Sequence, residues 1–460
     1  MVFSSLIFLF LFLPACLICY FLVPGLKAKN LVLVVFSLVF YAWGEPFYVL
    51  LLLASAAMNY FAGLLMGGCR RRGKSLKPVL VGTVALNLLA LGVFKYAALA
   101  VTTLNELSGL ALPVPQIALP IGISFYTFQA MSYVVDVYRD EVGVQRSYGK
   151  FLLYISLFPQ LIAGPIVRYS DIEAQLEDRH ASREDMFYGL IRFAVGLGKK
   201  ILIADHCYTV VTQMLDGSLS SATTLGTWLG ILMFTFQIYF DFSGYSDMAI
   251  GLGRIFGFKY MENFNLPYAA RSITDFWRRW HMSLSSFFRD YVYIPLGGNR
   301  KGLRRQIFNL FIVELLTGIW HGANWNFICW GLYYFVLLAA EKLFLLKHLQ
   351  KGRVWPHLYT LFFVVVGWAM FVGNDPGIQF GLLFQKLFTP SAGVSALYFL
   401  RNYGVLLAVS FVCCTPLIEK IWDVLRRRSW SRVLTVGALL VVSTAYVVGS
   451  TNSPFLYFNF

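Results

Sequence analysis

Charge is what this chain has least of. Of its 460 residues only 13% are Asp, Glu, Lys or Arg, while 58% are hydrophobic. A soluble domain carries about 25% charged residues. So few charges cannot keep a globular surface wet, which excludes an ordinary soluble protein. Cysteine is also sparse and unpatterned. The seven cysteines form no CxxC, Cys413 and Cys414 are adjacent, and Cys16 and Cys19 lie in an apolar run. That excludes a disulfide framework and leaves most of them as small apolar fillers. No HExxH, P-loop, GxSxG or dinucleotide fingerprint is present, and His206–Cys207 is a lone pair without zinc-ligand spacing. No metal site and no tightly bound cofactor are expected. Acidic residues are few as well, 23 against 38 basic ones, for a net charge of +15.

In a soluble chain such a charge would suggest nucleic acid. Here the positives sit in short loops: Arg70, Arg71, Arg72, Lys74 and Lys77; Arg300, Lys301, Arg304 and Arg305; Lys347, Lys351 and Arg353; Arg426, Arg427, Arg428 and Arg432. Short basic loops stay in the cytoplasm, and no nucleic-acid partner is expected. The first span then runs from outside to inside, and the C-terminal "NSPFLYFNF" ends outside, its aromatics suited to a membrane interface. The N-terminus lacks a basic region and a small-residue cleavage site, so a retained first span is expected.

A membrane helix needs about 20 apolar residues. Candidate runs are 6–23, broken only by Pro14, then 31–43, which is short, 47–66 and 79–100, and later 125–138, 152–166, 187–204, 225–242, 307–320, 327–346, 358–372, 403–418 and 433–448; several are too short or too polar to span alone. The expectation is an all-α polytopic membrane protein of about eight to eleven spans with re-entrant or interfacial helices. No linker or low-complexity tract divides it, so 1–460 reads as one membrane domain, a multi-pass protein of the cell membrane among lipids.

Two segments interrupt the apolar pattern. The first, "FWRRWHMSLSSFFRDYVYIPLGGNR" (276–300), carries Arg278, Arg279, Arg289 and Arg300 with Trp277, Trp280 and His281. Its start reads as a helix with Ser272 or Thr274 as N-cap, and Pro295, Gly297 and Gly298 close it. On one helix Trp277, His281, Leu284 and Phe288 would share a face, and Asp275 and Arg279, four apart, would pair. An interfacial helix with its arginines on lipid phosphates explains the charges, but not a histidine on the aromatic face.

The second is "LLTGIWHGANWNFICWGLYY" (315–334). Basic clusters on both sides make its two apolar arms a hairpin, with His321 at the tip and Gly318 and Gly322 letting the backbone leave helical geometry. Ionisable residues within the membrane are functional by default; the alternative is a turn histidine bonded to a carbonyl. A third stretch, "YFDFSGYSDMAIGLG" (239–253), sets Asp241, Ser243, Tyr245, Ser246 and Asp247 beside an apolar run. There Asp241 could cap a helix, and the small residues could serve close helix packing. A neutral histidine is the general base at hand, and it can take a proton from a hydroxyl that attacks a thioester.

These residues carry a resemblance. "SITDFWRRWHMSLSSFFRDYVYIPLGGNR" and "GIWHGANWNFICWG" resemble the two signature blocks of the membrane-bound O-acyltransferase (MBOAT) family, most closely its bacterial alginate O-acetyltransferase (AlgI) branch. "VFYAWGEP", "LPIGISFYTFQAMSYVVDVYR", "LIAGPIVRY", "YFDFSGYSDMAIGLGRIFGF" and "MENFNLPY" extend the likeness, while after about residue 375 no specific residues match. The resemblance implies a ring of membrane helices around a central tunnel, with the histidine core at about 240–346. It implies that His321 is catalytic and that His281 is the family's second histidine. The further tunnel or substrate-binding candidates are Trp277, Asp275, Arg279, Trp320, Asn324 and Asp247.

The cosubstrate it implies is a cytoplasmic acyl thioester, acetyl-CoA or an acyl carrier protein. The acyl group would pass to an extracytoplasmic hydroxyl, through an SGNH-type partner, onto an exopolysaccharide or cell-wall glycan. The D-alanyl-transferring DltB branch is similar in the histidine blocks and gives the competing enzyme reading. A transporter or flippase is the non-enzyme alternative; it would show broken helices in two repeated halves, and the chain has no such repeat.

Overall fold

The structure is a computed structural model that describes residues 1–215, 219, 222–373, 378, 380–391, 395–425, 429–449 and 455. The turn "GNDPG" (373–377), which the basic loop at 347–353 and one intervening span would place outside, lies beyond them except for Gly373, as do Arg426–Arg428 and all of the C-terminal aromatic stretch except Phe455. Among the described residues every regular element is helical. Among these residues, seven helices are long and apolar enough to cross a membrane: α1 (Gly25–Gly44), α2 (Tyr48–Arg71), α3 (Lys77–Ser108), α4 (Thr224–Ile255), Trp325–Leu349, Trp355–Val372 and Trp430–Gly449. A bent pair, Leu397–Cys413 and Leu417–Leu425, meets at 85° and makes an eighth if counted as one span. The apolar run near the N-terminus forms only the shorter helix Phe8–Leu22.

The chain forms two compact units, Met1–Phe193 with Ser246–Met261, and Ala194–Tyr245 with Glu262–Phe460. In the first, α2 and α3 are joined by a reciprocal amide pair, Asn59 Nδ2 to Asn87 Oδ1 at 3.1 Å and Asn87 Nδ2 to Asn59 Oδ1 at 2.8 Å. Two apolar helices gain little from lipid exclusion. An interhelical bond of this kind, about 1 kcal/mol, therefore fixes their register. Phe3, Phe8, Phe12, Phe40 and Phe158 form an aromatic cluster in the same unit.

The polar stretch 239–253 does not flank a span. It lies inside the 32-residue helix α4, and Asp241 is no cap. Its carboxylate is buried mid-helix, 2.7 Å from Lys200 Nζ, which also reaches Asp205 at 2.8 Å. A carboxylate in such a place persists because a cation neutralises it. Lys200 sits in a short π-helical segment, Lys199–Ala204.

Candidate active site

The candidate site lies in the second unit. Its basic segment is not one helix. α5 (Ile273–Trp277) and α6 (Met282–Phe288) are separated at His281, whose φ of +45° and ψ of +53° are left-handed. The shared face expected of Trp277, His281, Leu284 and Phe288 therefore does not form. A non-glycine residue in that conformation costs about 1–3 kcal/mol and needs its surroundings to hold it.

The surroundings do so. The Asn265 N–H donates to the Arg279 carbonyl at 2.9 Å, and the Met282 N–H donates to the Asn263 carbonyl at 3.0 Å. The start of α5 is fixed twice. Ser272 is its N-cap, with Oγ accepting the Asp275 N–H at 3.0 Å. The buried Glu341 carboxylate accepts the N–H groups of Ile273 and Thr274 at 2.6 and 2.9 Å. Asp275 and Arg279 form the expected pair at 2.9 Å.

His281 is 1% exposed. Phe242 of α4 meets its ring edge-on at 4.7 Å between centroids. Its Nδ1 lies 3.2 Å from Asn263 Oδ1, and its Nε2 has no hydrogen-bond partner among the described residues. His281 stands outside the seven spans, and burial pushes its pKa down to about 3. The ring is therefore neutral across the physiological range.

His321 ends α7 (Gly302–His321), and α8 (Trp325–Ala340) begins four residues later. The two helices run antiparallel in close contact. A Cβ on Gly318 would stand 2.5 Å from the Phe327 carbonyl oxygen, and one on Gly331 2.4 Å from that of Glu314. Gly318 thus serves helix packing rather than a backbone break. Gly322 is extended, a conformation open to any residue, but a Cβ there would meet the Phe327 ring at 2.2 Å. Asn324 caps α8, with Oδ1 accepting the Asn326 N–H at 3.0 Å.

One side chain joins the two histidines. The Trp320 ring lies 5.9 Å from that of His281 and 4.9 Å from that of His321. His321, buried, also touches Trp330 at 4.9 Å and Phe371 at 5.3 Å. Trp277 packs edge-on against Trp330 at 5.6 Å and Tyr334 at 5.0 Å. Of the predicted positions, Trp277 and Trp320 thus share this aromatic basket with both histidines. Asp275, Arg279 and Asn324 hold its supporting turns. Asp247 belongs to the first unit, where it pairs with Arg192 at 2.7 Å.

The other four histidines are of a different kind. His206, His348 and His357 each approach a backbone carbonyl through Nδ1 at 3.1 Å, and His180 lies on the surface beside Asp178. Three residues that sequence reasoning passed over belong to the site: Asn263, Glu341 and Trp330. "MENFNLPY" was a signal for the first only as part of a likeness. Nothing local marks the other two.

A buried imidazole among aromatic side chains can accept a proton or a hydrogen bond from a hydroxyl, the chemistry of an acyl-transfer site. The comparisons with known proteins agree. Residues 81–384 match the MBOAT, membrane-bound O-acyltransferase family. The chain belongs to that family, and is an all-α polytopic membrane enzyme, an O-acyltransferase. It is 39% identical to the probable alginate O-acetylase AlgI of Pseudomonas putida, over all of both chains. It is 44% identical to that of Azotobacter vinelandii over 81% of this chain and 75% of the relative. It is 32% identical to the peptidoglycan O-acetyltransferase of Helicobacter pylori over all of this chain and 98% of that one.

Proposed function

We propose that this chain moves an acetyl group from a cytoplasmic thioester, carried by coenzyme A or an acyl carrier protein, to a hydroxyl on the outer side of the membrane. The final acceptor is an exopolysaccharide of the alginate kind or a cell-wall glycan, reached through an SGNH-type partner. The observation that carries the reading is the pair of buried histidines on either side of Trp320. The names of the full-length relatives, an alginate O-acetylase and a peptidoglycan O-acetyltransferase, support acetyl as the group moved.

In the reaction the acceptor oxygen attacks the thioester carbonyl while His321 takes its proton. A C–O bond forms, the C–S bond breaks, and the proton passes on to the departing thiolate. His281 binds the acceptor beside it. Arg278 and Arg289 of the basic segment face the phosphates of lipid or donor. The thioester is already activated, so the step asks for a base and no metal.

The test uses cells that lack the chromosomal copy and carry either the native chain or His321→Ala. Acetate released by mild alkali from the extracellular polymer is measured in each. The native chain restores it, and His321→Ala lowers it by about 10²–10⁴-fold, the range for a lost general base. Restoration of alkali-labile D-alanine instead of acetate would replace acetyl transfer with D-alanyl transfer. Normal acetate from His321→Ala would overturn the assignment of the base.

A further inference from the structure

Asn263 holds the His281 turn through both its backbone and its side chain. Its carbonyl accepts the Met282 N–H at 3.0 Å. Its side-chain Oδ1 receives three groups at once: the Ser283 N–H at 3.2 Å, Ser283 Oγ at 2.9 Å and His281 Nδ1 at 3.2 Å. Asn263 is 1% exposed.

The backbone N–H of Ser283 can only donate. The atom it meets must therefore be the amide oxygen, which settles the orientation of the Asn263 side chain. An amide oxygen can only accept, so whatever else points at it must donate. His281 therefore carries its proton on Nδ1. Ser283 Oγ also lies 3.4 Å from Nδ1. A proton given by the serine to a bare Nδ1 would leave that lone pair facing the Oδ1 lone pairs at 3.2 Å, a repulsive arrangement. A neutral imidazole with its proton on Nδ1 has a bare Nε2, the atom that is buried without a partner among the described residues.

We infer that Asn263 is a positioning residue that locks His281 in the Nδ1–H tautomer, so that Nε2 meets the acceptor only as a hydrogen-bond acceptor for one of its hydroxyl groups. The inference rests on the proposed acyl transfer to a hydroxyl and adds to it the residue that orients the second histidine. It also predicts selectivity: an acceptor group that can only accept, such as a carboxylate, finds no donor at this position.

The low basicity of His281 agrees, since burial alone lowers its pKa. Among the described residues, Phe242 of α4, Trp320 of α7, Asn263 and Ser283 pack against the ring. None of them is charged.

The full-length protein, labelled with ¹⁵N-histidine and reconstituted in lipid bilayers at pH 7, is read by solid-state NMR, with His281→Gln identifying the signal. A protonated Nδ1 and a bare Nε2 are expected, and a protonated Nε2 overturns the inference. Transfer from labelled acetyl-CoA to alkali-labile material is then followed in membranes. Asn263→Ala should lower transfer by about tenfold, what one lost hydrogen bond is worth.

Asn263→Asp keeps all three accepting contacts but sets a carboxylate beside Nδ1. That favours the imidazolium and raises the His281 pKa. The bare Nε2 is then lost as pH falls through the raised value. The acid limb of the pH profile should move up by about one unit or more, with activity retained at alkaline pH. An unmoved limb, or Asn263→Ala with native activity beside an inactive His281→Ala, overturns the role of Asn263. A fully active His281→Ala instead overturns the use of His281 in the reaction, and the NMR result still decides whether Asn263 sets its tautomer.

Discussion

Glu341 holds Ile273. The Ile273 N–H donates to Glu341 Oε1 at 2.6 Å across 68 residues of chain, so a residue of the Trp325–Leu349 span fixes the first turn of α5. The other oxygen takes the N–H and the hydroxyl of Thr274 at 2.9 and 2.7 Å. A helix start presents unsatisfied N–H groups and the positive end of the helix dipole, and a carboxylate answers both. Glu341→Ala strands three donors, the buried Ile273 N–H and the part-buried N–H and hydroxyl of Thr274, and a buried donor left unpaired costs about 1–3 kcal/mol. It should lower the melting temperature in detergent and impair acyl transfer through displacement of Trp277. Glu341→Gln keeps one accepting oxygen and should fall between. Equal melting of the native protein and Glu341→Ala would show that α5 does not depend on this contact.

How far each feature was legible follows from where its cause lies. The runs 47–66 and 79–100 announced α2 and α3 because lipid demands an unbroken apolar stretch, a purely local requirement. The run 225–242 ends well short of α4 at Ile255, because Ser243, Ser246 and Asp247 follow it and no local rule admits carboxylates such as Asp241 and Asp247 to a span. What admits Asp241 is Lys200, some forty positions earlier. The break at His281 was hidden for the same kind of reason: the spacing of Trp277, Leu284 and Phe288 is helical, and the left-handed turn is imposed by Asn263 from 18 residues away. The two histidines themselves stood out because each is polar in an apolar setting beside a recognisable block. Glu341, one acidic residue near the end of a span, carries no such mark.

Lys200 between Asp205 and Asp241 gives a sharp stability prediction. Lys200→Met removes the cation and leaves Asp241, 2% exposed, without it. Removal of one partner from a buried pair costs about 3–5 kcal/mol. The variant should give little folded protein in size-exclusion chromatography after extraction. Lys200→Met with Asp241→Asn discards the stranded charge and should recover much of the yield. A double variant no better than the single one would mean that the pair is not the source of the loss.

Packing at the His321 hairpin is tested by one methyl group. Gly318→Ala places a Cβ 2.5 Å from the Phe327 carbonyl oxygen, a backbone atom that cannot swing aside. Overpacking of this kind costs about 1–3 kcal/mol. The helices must part, and His321 lies less than one turn further along α7. Transfer activity should therefore fall more steeply than stability. Gly82→Ala is the control: nothing lies within 4 Å of a Cβ there, in the second turn of α3. It should leave activity unchanged and stabilise by about 0.5–1 kcal/mol through reduced chain entropy. Equal behaviour of the two variants in melting and transfer would refute the close-packing account.

Sidedness decides whether His321 can serve two compartments. The helix Gly302–His321 and the span Trp325–Leu349 are antiparallel arms of one hairpin, so Lys301 before it and Lys351 after it emerge on the same side. Short basic loops resist translocation, so the expected side is the cytoplasm. The span Trp355–Val372, 18 residues or about 27 Å long at 1.5 Å per residue, then carries the chain across, and the loop at 373–377 is expected outside. His321, at the tip of a hairpin with both ends inside, would stand toward the outer half of the membrane. There it could meet an outer hydroxyl while the thioester approaches from within. Single cysteines at Lys301, Lys351 and Asn374, in a chain with its seven native cysteines replaced, are probed with an impermeant thiol reagent on intact cells. Asn374→Cys should react at once, and Lys301→Cys and Lys351→Cys only after permeabilisation. Reaction of either lysine position from outside would invert the hairpin and remove the route by which one histidine joins a cytoplasmic donor to an external acceptor.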